Sequence, residues 1–193
     1  MSRLPDWFHS SFMSAARLLD TLRSDEQAIL QIWNLTVRCS AAFKDGAKVM
    51  ICGNGGSLCD ATHFAEELTG RFRNDRPPLP AIALSDAGHI TCTANDYGFE
   101  FVFSRGIEAL GKPGDVLILL STSGNSPNIL NAAKAGREKH MWVFGLLGKG
   151  GGAVKPLCDE CVVVPGETSD RIQELHMLAL HTVVEGIERL MAT

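Results

Sequence analysis

The sequence GDVLILLSTSGNSPNILNAAKAGREKH, residues 114–140, contains the unit that decides the fold. Its apolar run VLILL predicts a buried strand, STSGNS predicts a polar turn, and the segment from Pro127 predicts a helix with proline at its first position. Further apolar runs end in polar or glycine-rich turns in the same way, and they read KVMICGNGG, LPAIALS, MWVFGLLGKGG and DECVVVPG. Helical segments lie between most of them. Strands that alternate with helices predict right-handed βαβ units and a parallel sheet.

Two amphipathic helices are predicted before the first strand. Apolar side chains recur at helical spacing in two sets, which are Phe8, Phe12, Ala15, Ala16 and Leu19, then Ile29, Ile32, Trp33 and Val37. Ser24–Gln27 has the pattern of a capping box at the start of the second helix. These helices either cover the sheet or pair with another subunit, and the sequence leaves both possibilities open.

The remaining segments complete a single α/β domain. SDRIQELHMLALHTVVEGIERLM, residues 169–191, predicts a long closing helix. The sequence contains no internal repeat, low-complexity tract or linker. We therefore expect one domain over residues 1–193, with an N-terminal helical pair in residues 1–45 and the α/β core and closing helix in residues 46–193.

Composition excludes several functional classes. Hydrophobic residues make up 45% of the chain and charged residues 21%, which is typical of a globular protein in water. The net charge of −4 and the lack of a Lys/Arg cluster argue against a nucleic-acid partner. No apolar run approaches the ~20 residues that span a bilayer, so no membrane partner is expected.

The cysteines and the first residues predict a cytoplasmic protein. The opening MSRLPDWFHSS lacks the apolar segment and cleavage site of a secretory signal. The pair Cys158 and Cys161 forms a CxxC motif, but no second CxxC completes a zinc ribbon. We expect reduced, mainly structural cysteines.

Ligands of parallel α/β sheets bind beyond the carboxyl ends of the strands, so the turns there are candidate sites. GNGGS, residues 53–57, fails the dinucleotide fingerprint because Leu58 stands where a third small residue is required, and it is followed by no P-loop lysine. Its backbone N–H groups could face an anion at the start of a helix. A simpler interpretation is that Ser57 caps that helix with Asp60 as its partner, and the two interpretations are compatible.

Two other turns are candidates for ligand contacts. STSGNSP, residues 121–127, brings four hydroxyls to the start of a helix, an arrangement that favours a phosphate monoester over a simple polar turn capped by Ser126. TANDYG, residues 93–98, has ordinary turn composition and by itself predicts only a turn.

Two helices carry side chains that could meet at a metal ion. His63 and Glu67 are four residues apart and share one helix face, and Gln173 and His181 are two turns apart on the closing helix. Two imidazoles, a carboxylate and an amide oxygen would suit Zn²⁺. His176 is an alternative member of this set. Spacing alone leaves open a solvated His–Glu pair, a core histidine, or general acid–base groups without a metal.

Taken together, these segments resemble the phosphoheptose isomerases of the sugar isomerase (SIS) domain family. The resemblance covers nearly the whole chain and rests on several motifs in the same order, which are GNGGS, THFAEELTGRF, LPAIALS, ANDYGFE, GDVLILLSTSGNSPN and DRIQELHMLALH. It implies a three-layer fold with a five-stranded parallel sheet and a homotetramer with active sites at subunit interfaces. It also implies conversion of sedoheptulose 7-phosphate to D-glycero-D-manno-heptose 7-phosphate through an enediol(ate), as the first step of ADP-heptose biosynthesis for the lipopolysaccharide core.

The resemblance also assigns roles to residues. It implies Glu67 and His181 as the acid–base pair, and one Zn²⁺ per subunit held by His63, Glu67, Gln173 and His181. The implied substrate contacts are Asn54, Gly55, Gly56, Glu67, Asn95, Asp96, Ser121, Thr122, Ser123, Ser126 and Gln173.

The main alternative is a non-catalytic SIS protein that regulates or binds. A regulator related to this family lacks the glutamate that corresponds to Glu67, which this sequence retains. Arabinose 5-phosphate isomerases commonly carry appended regulatory domains, and aminotransferring SIS proteins need a glutaminase partner. The sequence has room for neither, so the resemblance favours the phosphoheptose isomerases.

Overall fold

The computed structural model of the protein describes residues 4–192, and its centre is one parallel β-sheet. The strands are β1 Val49–Gly53, β2 Ala81–Ala83, β3 Val116–Ser121, β4 Trp142–Leu147 and β5 Glu160–Val163. They lie in the order β2-β1-β3-β4-β5, and every neighbouring pair is parallel. The expected five-stranded parallel sheet is confirmed.

Helices connect and cover the strands. They are α1 Asp6–Arg23, α2 Glu26–Lys44, α3 Gly56–Thr69, α4 Ala87–Asp96, α5 Ser104–Leu110, α6 Pro127–Glu138 and α7 Ser169–Met191. In the described part of the chain, none of these helices is apolar over a stretch long enough to cross a membrane.

The sheet is buried on both faces, which produces three layers. Successive strand residues point to opposite sides, so Val116 and Ile118 pack with α2, α3 and α7, whereas Leu117 and Leu119 pack with α5 and α6. All four of these side chains are fully buried. A continuous apolar strand such as VLILL is what a parallel sheet covered on both faces requires.

The second helix has two apolar faces with different environments. Leu35 and Cys39 of α2 are fully buried in the core, while Trp33 is 49% exposed and Val37 is 43% exposed. The neighbouring α1 leaves Phe12 66% exposed. The helical pair therefore covers part of the core and also presents an apolar surface.

Two local predictions and one of the alternatives differ from the structure. α2 begins one residue later than the proposed Ser24 box, because the Asp25 carboxylate accepts the Ala28 N–H at 3.0 Å. Ser57 does not cap α3: it lies inside that helix, whose N-cap residue is Gly55 with φ +57°. The turn predicted at residues 93–98 is wrong in part, because residues 93–96 are the last turn of α4 and the chain turns only from Tyr97.

Candidate functional site

The topology brings the turns after β1 and β3 together. The chain leaves β1 to form β2 on one side and later returns to form β3 on the other side. The carboxyl ends of β1 and β3 are therefore the switch point, where ligands of open α/β sheets bind. Asn54, after β1, and Asn128, in the first turn of α6, exchange two amide hydrogen bonds of 2.9 and 2.8 Å. This pair fixes the two turns against each other.

The serine-rich turn leads directly from β3 into α6, as the sequence predicted, with Pro127 at the start of the helix. The Ser121 hydroxyl accepts the Gly124 N–H at 3.0 Å and thereby shapes the turn. Ser126 is the N-cap residue of α6, but its side chain makes no capping hydrogen bond. Pro127 has no N–H and the Ile129 N–H donates to the Ser126 carbonyl at 3.1 Å, so the Ser126 hydroxyl and the Asn128 N–H are the donors that this helix start offers to an anionic ligand.

A second loop supports this turn from outside. Gly124 has φ +65°, and a Cβ atom there would overlap the Gly151 carbonyl. The Val154 N–H donates to the Gly124 carbonyl at 2.9 Å, and the Ala153 N–H donates to the Asn125 side chain at 3.0 Å. A Cβ on Gly152 would in turn approach the Gly124 carbonyl to 2.5 Å, so the close approach of the two backbones explains the glycines at residues 124 and 152.

Glu67 lies between two imidazoles that come from different helices. Its Oε1 is 3.2 Å from Nε2 of His63, one turn earlier on α3, and 3.3 Å from Nε2 of His181 on α7. The Glu67 side chain is 7% exposed, whereas the two histidine side chains are 47% and 36% exposed. The cluster therefore opens to solvent on the histidine side, with the carboxylate at its base.

Burial raises the pKa of the Glu67 carboxyl, and the imidazoles of His181 and His63 act in the opposite direction. Asp60 lies one turn before His63, and burial also raises the pKa of its carboxyl, to about 6, against the opposing effect of His63 and His181. The site thus holds two carboxyl groups whose environments favour protonation nearer neutral pH than usual.

The cluster has the donors that a metal ion needs. One potential ligand atom from each of His63, Glu67 and His181 lies within 4.8 Å of the other two. In the described part of the chain, the buried Oε2 of Glu67 has no hydrogen-bond partner, although a buried carboxylate oxygen normally has one. Two imidazoles and a carboxylate are typical ligands of Zn²⁺ with a position left for substrate. These residues fit a metal ion.

Gln173 lies beside the first turn of α3. Its Nε2 donates to the Ser57 hydroxyl at 3.2 Å, and a Cβ on Gly56 would approach its amide oxygen to 2.5 Å. A glycine at residue 56 therefore makes room for the Gln173 side chain beside the start of α3.

Not all of the predicted residues are brought into the cluster. Asn95 and Asp96 are exposed at the end of α4, and the Asn95 amide donates to the Asp96 carboxylate at 2.7 Å. Asp96 also accepts from the Cys92 thiol at 3.5 Å. The alternative ligand His176 is fully buried in the core, where burial lowers its pKa to about 4, so it is a neutral core residue.

Comparison with known proteins identifies the family. A profile of the SIS domain matches residues 12–148. The phosphoheptose isomerase of Fusobacterium nucleatum is 50% identical over 182 residues, which are 94% of this chain and 94% of that protein. The chain belongs to the phosphoheptose isomerase family of SIS-domain proteins. It is therefore an isomerase.

Solved structures of this isomerase family have the same fold. The phosphoheptose isomerase from Neisseria gonorrhoeae superposes with a TM-score of 0.89 at 35% identity, covering 95% of this chain and 98% of that one. The phosphoheptose isomerase from Francisella tularensis gives a TM-score of 0.90, also at 35% identity, over 95% of this chain and 97% of that one.

Sequence reasoning missed several residues that shape the site of this isomerase. Phe72 stacks on the His181 ring at 6.0 Å between centroids, and Asn128 pairs with Asn54. Neither residue belongs to a recognisable ligand spacing, because each acts on a residue far along the chain. A sequence signal exists only for Asn128, whose amide follows the predicted serine-rich turn by one residue, in SPN at residues 126–128.

Loss of a residue that only supports a metal ligand typically weakens binding by about 10–100-fold. We expect His63→Ala to weaken Zn²⁺ binding by more than this, because it removes a direct donor. Competition with a chromophoric chelator measures the affinity. His9→Ala, which removes an exposed histidine of α1, is the matched control. Equal Zn²⁺ affinity for both variants would contradict a metal site at this cluster.

Proposed function

We propose that this isomerase interconverts sedoheptulose 7-phosphate and D-glycero-D-manno-heptose 7-phosphate through a cis-enediol(ate). The observation that carries the proposal is the buried Glu67 carboxylate between His63 and His181. The turn between β3 and α6, which suits a phosphate, supports it. The names of the relatives support the substrate class. The further proposal that the product enters ADP-heptose biosynthesis for the lipopolysaccharide core rests on the family resemblance.

The reaction moves one proton between carbons and one between oxygens. Glu67 takes a proton from C1 of the ketose and returns it to C2, while His181 moves a proton from the C1 hydroxyl oxygen to the C2 oxygen. A carboxylate whose pKa is raised by burial is a stronger base than a solvated one, which suits abstraction of a carbon-bound proton. The 3.3 Å separation between Glu67 and His181 lets both groups reach adjacent atoms of one substrate.

A Zn²⁺ ion fits the same proposal. His63, Glu67, Gln173 and His181 would hold it, one ion per subunit. When bound, it would supply Lewis-acid polarisation of the substrate oxygens. The mixed imidazole and carboxylate donors support zinc over a hard cation such as Mg²⁺, which prefers oxygen ligands.

The two turns at the switch point bind the rest of the sugar phosphate. Ser121, Thr122, Ser123 and Ser126 would hold the phosphate with the N-terminus of α6, and Asn54, Gly55 and Gly56 would contact the sugar, as would Asn95, Asp96 and Gln173. Anchoring the phosphate far from C1 and C2 fixes the orientation of the reacting carbons. The absence of a cation among these turn residues is compatible with a phosphate site, because a helix N-terminus supplies hydrogen bonds and a favourable dipole.

We also propose that residues 1–193 form one SIS domain that assembles as a cytoplasmic homotetramer with active sites at subunit interfaces. The exposed apolar residues of α1 and α2, including Trp7 at 69% exposure, support burial against other subunits. The six cysteines are free, as expected in a reducing compartment. Light scattering after size-exclusion chromatography is expected to give four times the mass of the chain. A monomer at micromolar concentration would contradict the assembly.

We expect Glu67→Gln to lower kcat by at least about 1000-fold, because an amide cannot accept the C1 proton. A coupled assay of aldoheptose formation from sedoheptulose 7-phosphate measures turnover, and circular dichroism checks that the fold is retained. Glu108→Gln, at an exposed position of α5, is the control for removing a carboxylate. Unchanged turnover in Glu67→Gln would show that Glu67 is not the base.

A wild-type protein that forms no product with or without added Zn²⁺ would reject the proposed substrate. Arabinose 5-phosphate in the same assay then distinguishes an isomerase of another sugar phosphate from a chain that binds without turnover.

A further inference from the structure

Arg76 contacts the backbone of the proposed base directly. It lies in the loop between α3 and β2, seven residues beyond the end of α3. One terminal nitrogen of its guanidinium donates to the Glu67 carbonyl at 2.5 Å, and the other donates to the Leu68 carbonyl at 2.7 Å. The side chain is 10% exposed, so these hydrogen bonds are shielded from water.

The last carbonyl groups of α3 need hydrogen-bond donors from outside the helix. Glu67 lies two residues before the last helical residue, Thr69, where carbonyl groups lack partners within the helix and the backbone tends to fray. Many helices end with a residue in the left-handed conformation, but Gly70 has φ −96° and does not form that cap. The cation of Arg76 supplies donors to these carbonyls and also interacts favourably with the negative end of the helix dipole.

The same guanidinium forms an ion pair with a carboxylate of the other helix of the site. Nε of Arg76 is 3.3 Å from Oε1 of Glu188, whose side chain is 3% exposed. Asn74 donates to the second oxygen of this carboxylate through its backbone N–H at 3.3 Å and its side-chain amide at 3.4 Å. Glu188 follows His181 by seven residues on α7, so it lies on the same face two turns later.

We propose that Arg76 and Glu188 are positioning residues that set the placement of Glu67 relative to His181. Arg76 connects the backbone carbonyl of Glu67 to α7, the helix that carries His181. Neither side chain is required to touch the substrate. This inference rests on the proposed function, because the distance that it fixes is useful only if Glu67 and His181 act on one substrate.

Loss of the Arg76–Glu188 pair should disturb the proposed acid–base residues rather than the proposed phosphate-binding turn. The turn proposed to bind phosphate belongs to β3 and α6, whereas the Arg76–Glu188 pair acts on α3 and α7. Its loss should therefore reduce kcat with little change in KM. A displacement of about 1 Å in a catalytic group can lower the rate by about 100-fold.

The test compares Arg76→Met with a control of matched burial. Lys48 pairs with Asp115 at 2.5 Å at the amino ends of β1 and β3, away from the carboxyl ends where the site lies. The Asp115 side chain is 3% exposed, as is that of Glu188. After Lys48→Met, Asp115 keeps the backbone N–H donors of Lys48 and Lys112, just as Glu188 keeps two donors from Asn74 after Arg76→Met. Both substitutions remove the cation of a buried ion pair, and only one of them lies at the site.

For each variant, kcat and KM are measured with sedoheptulose 7-phosphate, and urea unfolding gives the stability. We expect Arg76→Met to lower kcat by at least about tenfold with KM changed by no more than about twofold, while Lys48→Met keeps the wild-type kcat. A loss of kcat in Arg76→Met no larger than that in Lys48→Met would overturn the proposal.

Two further variants keep the test decisive if Arg76→Met fails to fold. Glu188→Gln keeps the shape of the side chain and removes its charge, so it should lower kcat in the same direction. Arg76→Lys keeps the charge but lacks the planar fork that reaches two carbonyls and a carboxylate together, so kcat should stay low even where stability recovers. Wild-type kcat in both variants would overturn the proposal.

Zn²⁺ affinity separates this inference from the proposed function. Displacing Glu67 should weaken Zn²⁺ binding in Arg76→Met by about tenfold, but not in Lys48→Met, as measured by chelator competition. A wild-type protein that fails to isomerise the heptose phosphate rejects the function, and the Zn²⁺ comparison still decides the positioning. Unchanged Zn²⁺ affinity and kcat in Arg76→Met, beside an active wild type, would reject the positioning alone.

Discussion

The buried carboxylate of Glu67 is the constraint on which the site depends. Removing a carboxylate from water costs several kcal/mol unless partners compensate it. Here the partners are two imidazoles, one from the same helix and one from α7, at 3.2 and 3.3 Å. The two helices must therefore keep a fixed separation, and the core that packs α3 against α7 on one face of the sheet provides it. Stability and chemistry are linked at this one position.

The sheet topology brings together a second group of polar residues, in the turns after β1 and β3. The strand order makes the turns after β1 and β3 neighbours, and the Asn54–Asn128 pair holds them together. These turns thus offer hydrogen-bond donors suited to an anion, whereas the Glu67 cluster has groups that can accept and donate protons. This division explains how a chain without a cation in its serine-rich turn can accommodate a sugar phosphate.

Much of this arrangement could be predicted from the sequence, because it depends on short patterns. The run VLILL gave β3 and its burial on both faces, and the four-residue spacing of His63 and Glu67 gave one helix face. The meeting of that face with His181 came from family resemblance, since spacing within each helix says nothing about distance between helices. Arg76 escaped detection for the same reason: its partners are carbonyls of α3 and a carboxylate 112 residues away. The turn predicted at residues 93–98 was wrong over residues 93–96, because the helix that begins after the Asp86 cap, which accepts the His89 N–H at 2.7 Å, continues to Asp96.

The most direct measurement is NMR of the protein with sedoheptulose 7-phosphate in D₂O. It follows the aldoheptose product and the exchange of the C1 protons with solvent. The account predicts product that contains solvent deuterium at C2, with exchange at C1 of the recovered ketose, since a carboxylate base trades its proton with water. Neither product nor exchange, with Zn²⁺ present, would contradict an isomerase that acts through Glu67 on this substrate.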